Sequence, residues 1–174
     1  MKPKDFAFLF AVVTFGSALI RSIIVTNNAN SYVNSGMIKS ENGDHLGAIG
    51  DFTSAINIQP RNTQILLLRG ISKRKSNKNN DAISDFNRII EIKPKSVYAF
   101  YHRALAKSKL GDLSGEIEDY TNAININSSF ADAYLNRGIA KNEMGVSNDA
   151  CLDWEIASTL GFNYANKLLE ENCN

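Results

Sequence analysis

From residue 29 onward, small, aromatic and aliphatic side chains recur every 34 residues. Gly36, Gly70, Ala104 and Gly138 share one column, and Tyr32, Leu66, Phe100 and Tyr134 stand four positions before them. Twelve positions after the small residue come Ala48, Ala82, Glu116 and Ala150, followed by an aromatic column of Phe52, Phe86, Tyr120 and Trp154. Ala55, Ile89, Ala123 and Ala157 come next, and Pro60, Pro94, Ser128 and Phe162 close the period. Apolar positions three and four apart predict helices, and two helices fit into each period. Two antiparallel helices approach closely only where side chains are small, so the glycine and alanine columns are expected to supply that contact. The aromatic columns are expected to fill the space between one pair and the next. Proline ends the second helix because it lacks an N–H and clashes with the preceding turn. Gly43, Asn77, Gly111 and Gly145 mark the joints within pairs, since a helix exit often needs a left-handed residue.

These columns resemble the tetratricopeptide repeat. The resemblance covers residues 29 to about 160, as four repeats over 29–62, 63–96, 97–130 and 131–161. The triplets Leu68-Arg69-Gly70, His102-Arg103-Ala104 and Asn136-Arg137-Gly138 are similar to its Arg-Gly subtype, in which an aspartate precedes the aromatic of the second helix. Asp51, Asp85, Asp119 and Asp153 match that aspartate. The resemblance implies an all-α fold, a right-handed superhelical solenoid of antiparallel helix pairs. Residues 162–174 read as a C-terminal capping helix with Ala165, Leu168 and Leu169 on its apolar face. A polar outer face at the terminal unit is what a solenoid needs.

The departures are local. Repeat one has Ser35 in the arginine column, and repeat four lacks the closing proline. Repeat three has Ala104 for Gly and Glu116 for Ala, so Glu116 is expected either to lean outward or to splay its pair. Asp51 and Arg69, Asp85 and Arg103, and Asp119 and Arg137 are each 18 residues apart across the turn between repeats. That spacing predicts ion pairs bridging successive repeats.

Residues 1–28 differ in kind. Lys2 and Lys4 precede an uncharged run from Phe6 to Ile20, then Arg21, Ile23, Ile24 and Val25, then polar residues. This is the order of a signal peptide or a signal anchor. As a helix, 6–25 would reach about 30 Å, the hydrocarbon thickness, with Arg21 near one end where its side chain can snorkel. Gly16-Ser17-Ala18 offers small residues for cleavage but leaves a short apolar core. Lysines kept inside place the repeats on the extracytoplasmic side. The expectation is a membrane-anchored protein through 6–25, with a cleaved periplasmic or secreted form as the alternative.

Net charge is +1, and 21% of residues are charged. No basic face of the kind nucleic-acid binding requires is implied. The basic run Lys73, Arg74, Lys75 and Lys78 reads first as a solvated face, with an acidic ligand or anionic headgroups as the alternative. The two histidines, His45 and His102, have no Cys, Asp or Glu at metal-ligand spacing. Neither a phosphate loop nor a nucleophile elbow is present. No catalysis, cofactor, metal or small-molecule substrate is expected.

The resemblance places the first helix of each pair on a concave groove. Its outward positions include Asn34, Gln64, Leu68, Arg74, Tyr98, Tyr101, His102 and Asn136. This mixture of apolar groups, amides and tyrosines suits a peptide or a partner protein. The chain therefore reads as an interaction scaffold or adaptor, with an assembly factor for a membrane complex as an alternative. Cys151 lies ten residues before Gly161 and Cys173 twelve after it. In an antiparallel hairpin the two come level, which predicts a disulfide pinning the cap.

Overall fold

The computed structural model describes residues 27–173, and every regular element among them is an α-helix. Helix α1 covers 27–41. It is followed by α2 (His45–Ile58), α3 (Thr63–Lys75), α4 (Asn79–Ile92), α5 (Val97–Ser108), α6 (Leu113–Ile126), α7 (Ala131–Glu143), α8 (Ser147–Thr159) and α9 (Tyr164–Asn172). The apolar segment 6–25 and its expected helix lie outside the described residues. Among the described residues no helix is long and apolar enough to cross a membrane.

The chain divides into two compact units, one ending at Ile65 and the other running from Leu66. In the first unit α1 pairs with α2. Gly36 is buried, and a Cβ there would come 2.7 Å from Cε1 of the Phe52 ring. In the second unit each helix packs on the next from α4 through α9, and α3 leans on α4 through Gly70 and Phe86. Here a Cβ on Gly70 would meet Phe86 Cε1 at 2.5 Å, and one on Gly138 would meet Trp154 Nε1 at 2.5 Å. The close approach is therefore glycine against an aromatic ring of the same pair. The alanine column takes part in it, since a Cβ on Gly138 would also lie 3.1 Å from the Ala150 carbonyl, and Phe86 reaches the next pair as well, stacking on His102 at 6.0 Å. The Trp154 indole N–H also donates to the Leu135 carbonyl of its own pair, at 3.2 Å.

All four predicted joints hold a left-handed residue: Gly43, Asn77, Gly111 and Gly145 have φ of 81°, 60°, 76° and 81°. After two of these joints an aspartate caps the second helix. Asp44 accepts from the Gly47 amide at 2.8 Å and Asp112 from the Gly115 amide at 3.0 Å. Such caps are worth about 1 kcal/mol each. Pro60 and Pro94 follow α2 and α4 by two residues. After α8, where no proline stands, Gly161 at φ 93° turns the chain into α9.

One core runs through the second unit, built on Phe100, Tyr120, Tyr134, Trp154 and the alanines between them, with Ala165 of α9 at its end. Leu168, Leu169 and Phe162 pack against it. Cys151 of α8 and Cys173, just past α9, form a disulfide with Cα atoms 5.9 Å apart. Of the two arrangements expected of Glu116, leaning outward is excluded. The residue is 4% accessible, inside the α6 face that packs on α5. Burial pushes its carboxyl above the ordinary range, offset in part by the Ser108 hydroxyl.

Candidate functional site

The charged columns settle first, because they remove most of the charge from consideration. Arg69 donates to both oxygens of Asp85, Arg103 to both of Asp119 and Arg137 to both of Asp153, at 2.5–2.9 Å. The partner is the aspartate 16 residues later, in the same repeat. This overturns the 18-residue pairing for Arg103 and Arg137, because the arginine folds back across its own helix pair. Contact with the previous repeat survives through the other guanidinium nitrogen. Nη1 of Arg103 donates to Asn87 at 2.6 Å and Nη1 of Arg137 to Thr121 at 3.0 Å.

A lysine four residues after each arginine reaches the same carboxylate: Lys73 to Asp85, Lys107 to Asp119 and Lys141 to Asp153, at 2.8–2.9 Å. In repeat one Ser35 donates to Asp51 at 2.7 Å and Lys39 completes the contact at 2.8 Å. Hydrogen bonds from Lys39 and Ser35 hold the Asp51 carboxyl below its ordinary value. The column Lys39, Lys73, Lys107 and Lys141 was open to sequence reading at the 34-residue period and was missed. The basic run after Ser72 accordingly does not form one solvated face. Lys73 serves the ion-pair ladder, Lys75 and Lys78 are exposed, and Arg74 turns elsewhere.

The first helices α3, α5 and α7 bring a second, different group together. Tyr101 of α5 lies at its centre, its ring 4.9 Å from Phe130, 5.3 Å from His102 and 5.8 Å from Tyr120, between centroids. Asn136 of α7 donates to the Tyr101 hydroxyl at 3.4 Å and to the Asp132 carbonyl at 2.7 Å. Burial raises the Tyr101 phenol above its ordinary value, and Asp132 adds to this while Arg74 opposes it. Burial likewise pushes Tyr120 up, with Glu116 adding to it. Tyr98 stands at the edge, 59% exposed, with its ring edge-on to Phe130 at 5.9 Å.

Arg74 of α3 reaches into this group. Burial lowers the affinity of its guanidinium for the proton, and the phenols of Tyr101 and Tyr120 partly restore it. Among the described residues its buried Nε has no hydrogen-bond partner, and neither has the buried Nδ1 of His102. His102 stacks on Phe86 at 6.0 Å, and burial, Arg74 and Lys75 hold its imidazole down to about 4. The ring is therefore neutral at pH 7 and offers one donor and one acceptor.

Of the residues expected on the groove, Arg74, Tyr98, Tyr101, His102 and Asn136 fall in this group within the second unit. Leu68 is half-buried on α3. Asn34 and Gln64 are exposed within the first unit. Phe130 and Tyr120 were not expected there. Phe130 sits in a turn and Tyr120 in a column read as core, so neither carried a groove signal. Among the described residues no group of three or more His, Cys, Asp or Glu could hold a metal ion.

No family model matches the sequence, nor does any curated protein. Solved structures do. A crystal structure of MamA protein superposes with a TM-score of 0.73 at 26% identity, over 80% of this chain and 78% of that one. TTC0263, a thermophilic TPR protein of Thermus thermophilus, matches at 0.68 and 17% identity, over 76% and 74%. The first TPR of Spaghetti (RPAP3), bound to the HSP90 peptide SRMEEVD, matches at 0.66 and 18%, over 68% and 94%.

Proposed function

The fold is of the tetratricopeptide type, and we propose that the chain works as a protein–protein interaction scaffold, taking a peptide segment of a partner on the α3–α5–α7 face. The observation that carries this reading is the convergence of Arg74, Tyr98, Tyr101, His102 and Asn136 from three first helices. The group is aromatic with one amide, and two of its buried polar atoms have no hydrogen-bond partner among the described residues. Rigid tyrosines beside an adaptable amide are economical contacts for a peptide, because little side-chain freedom is lost on binding. A repeat domain of similar fold, that of Spaghetti, holds a peptide. The repeated Arg–Asp pairs support assignment to the Arg-Gly subtype.

The same proposal places the repeats on the extracytoplasmic side, tethered through 6–25. The charge order of residues 1–25 supports this, and so does the Cys151–Cys173 disulfide, since such bonds persist in oxidising compartments. Cleavage after Gly16-Ser17-Ala18 would give a periplasmic or secreted adaptor instead.

The test is site-specific photo-crosslinking in the native membrane. Benzoylphenylalanine at Tyr98 should capture a partner, whereas the same probe at the exposed Glu118 of α6 should not. Equal capture at both, or at neither, refutes the groove. External protease on spheroplasts should digest the repeats, and full protection refutes the orientation.

A further inference from the structure

We propose that the outer face of α8 is a second docking surface, one that takes a helical segment of a partner protein with apolar residues along one side and Lys or Arg beside them. The proposal goes beyond the groove reading and does not depend on it.

This face departs from the 34-residue period. In repeats one to three the position of Leu152 is held by Gly50, Ser84 and Glu118, and the position of Ile156 by Ser54, Arg88 and Asn122. Only repeat four is apolar at both. Leu152 is 58% exposed and Ile156 39%. They are four residues apart, so they stand one above the other on one side of the helix. Leu160, four further on and 38% exposed, extends the line. A single exposed leucine is ordinary on a protein surface. A line of three, two of them where the other repeats are polar, is an apolar stripe that the fold itself does not require.

The rest of α8 is already committed. Ala150, Trp154 and Ala157 lie in the core. Asp153 takes Arg137 and Lys141. Cys151 and Ser158 hold α9, by the disulfide and by a hydrogen bond to Asn166 at 2.6 Å. Nor is the stripe the uncovered end of the solenoid. Helix α9 packs on α8 at that end, and its exposed residues Asn166, Lys167, Glu170 and Glu171 are polar.

Charge decides the occupant. Asp149 and Glu155 are exposed three residues to either side of Leu152, on the same side of the helix. Helix α8 contains no Lys or Arg. A second copy packed face to face would set these acids against themselves, and an anionic membrane would be repelled by them. A partner whose apolar side is flanked by Lys or Arg is attracted and held in register. A helix presents such a side at every third and fourth residue, which matches the spacing of Leu152, Ile156 and Leu160.

The probe is a phage-displayed library of randomised peptides, selected on the full chain in detergent and counter-selected on the variant Leu152→Glu/Ile156→Asn. That variant installs the two residues that repeat three carries, Glu118 and Asn122, so it should fold and melt like the wild type. Peptides kept by the wild type and refused by the variant should have apolar residues three or four apart and more than one Lys or Arg. They should become helical on binding, as read by circular dichroism. The affinity of the best should fall about tenfold or more in the variant. Adsorption by charge alone would rise instead, because the variant adds an acid. Asp149→Asn/Glu155→Gln should weaken binding about threefold to tenfold and flatten its dependence on salt.

If no selected peptide distinguishes the two chains, the proposal is overturned and the groove reading stands. Peptides that depend on Leu152 and Ile156 but lack basic residues overturn the assigned partner. A lower melting temperature of the variant would show that the stripe packs within the chain, and would overturn it too. A dimer in sedimentation, or binding to phosphatidylglycerol vesicles, that the variant abolishes would give the face to a second copy or to a membrane and refute the proposal.

Discussion

Arg103 joins two repeats from one side chain: it grips both oxygens of Asp119 in its own repeat and reaches Asn87 in the one before. Asp119 is 0% exposed and also takes Lys107. Its removal would strand two cations in a partly buried site. Asp119→Asn should cost about 3–5 kcal/mol. Asp51→Asn should cost about 1 kcal/mol, because Ser35 replaces the arginine and Asp51 is less buried. Urea titrations of the two variants should show that order. Equal costs would mean that the ladder is not held by its arginines.

The glycine columns make a second claim about packing. Gly70→Ala puts a Cβ 2.5 Å from the Phe86 ring, so the ring or the helix must move. We expect a loss of about 1–3 kcal/mol, as for other overpacked sites. Repeat three already carries Ala104 against Tyr120, so Ala104→Gly should not stabilise; it should cost up to about 1 kcal/mol through helix propensity. Thermal melts of both variants decide this. A stabilised Ala104→Gly would show that the third pair is strained.

His102 makes stability depend on pH in a definite sense. Its folded value near 4 lies below the ordinary 6.5, so between these values the unfolded chain binds the extra proton. Stability from this residue is therefore fully present above pH 6.5 and falls as pH drops toward 4, by up to about 3 kcal/mol. Glu116 acts oppositely. Its raised carboxyl favours the folded state at low pH and loses that advantage as pH rises. The two windows overlap, so the comparison is best made in a Glu116→Gln background. There, His102→Gln should flatten the decline between pH 6.5 and 4, followed by chemical denaturation. An unchanged slope would place His102 in water. Glu116→Gln alone should raise stability at pH 7, since no buried carboxylate is then required.

The disulfide offers a fourth test. Cys151 and Cys173 enclose a 22-residue separation containing all of α9. In the chain-entropy model such a loop is worth about 3 kcal/mol. The variant with both cysteines replaced by serine should melt earlier, and hydrogen exchange should rise first in α9. Uniform exchange along the second unit would show that the cap is held by Ala165, Leu168 and Leu169 alone. Mass mapping of protein from its native compartment should recover the bridge without free thiols.

What the sequence determined by itself was the repeat: its 34-residue period, the helix pairs, the left-handed joints and the positions of the arginines and aspartates. These are local or periodic properties. A glycine column or a helix stop acts within a few residues and prints itself at the same place in each unit. Tertiary structure alone decided partner choice. Arginine stands 16 residues from one aspartate and 18 from another, and both spacings fit an antiparallel turn. Only the packing of α5 on α6 selects Asp119 over Asp85 for Arg103. The same holds for Lys73 and Arg74, neighbours in a basic run that part company. The helix turn carries Lys73 to Asp85 and Arg74 toward Tyr101 and Tyr120. Burial is a sum over every neighbour in space. For that reason the inward turn of Glu116, the neutral His102 and the half-buried Arg74 became visible only once the helices were stacked.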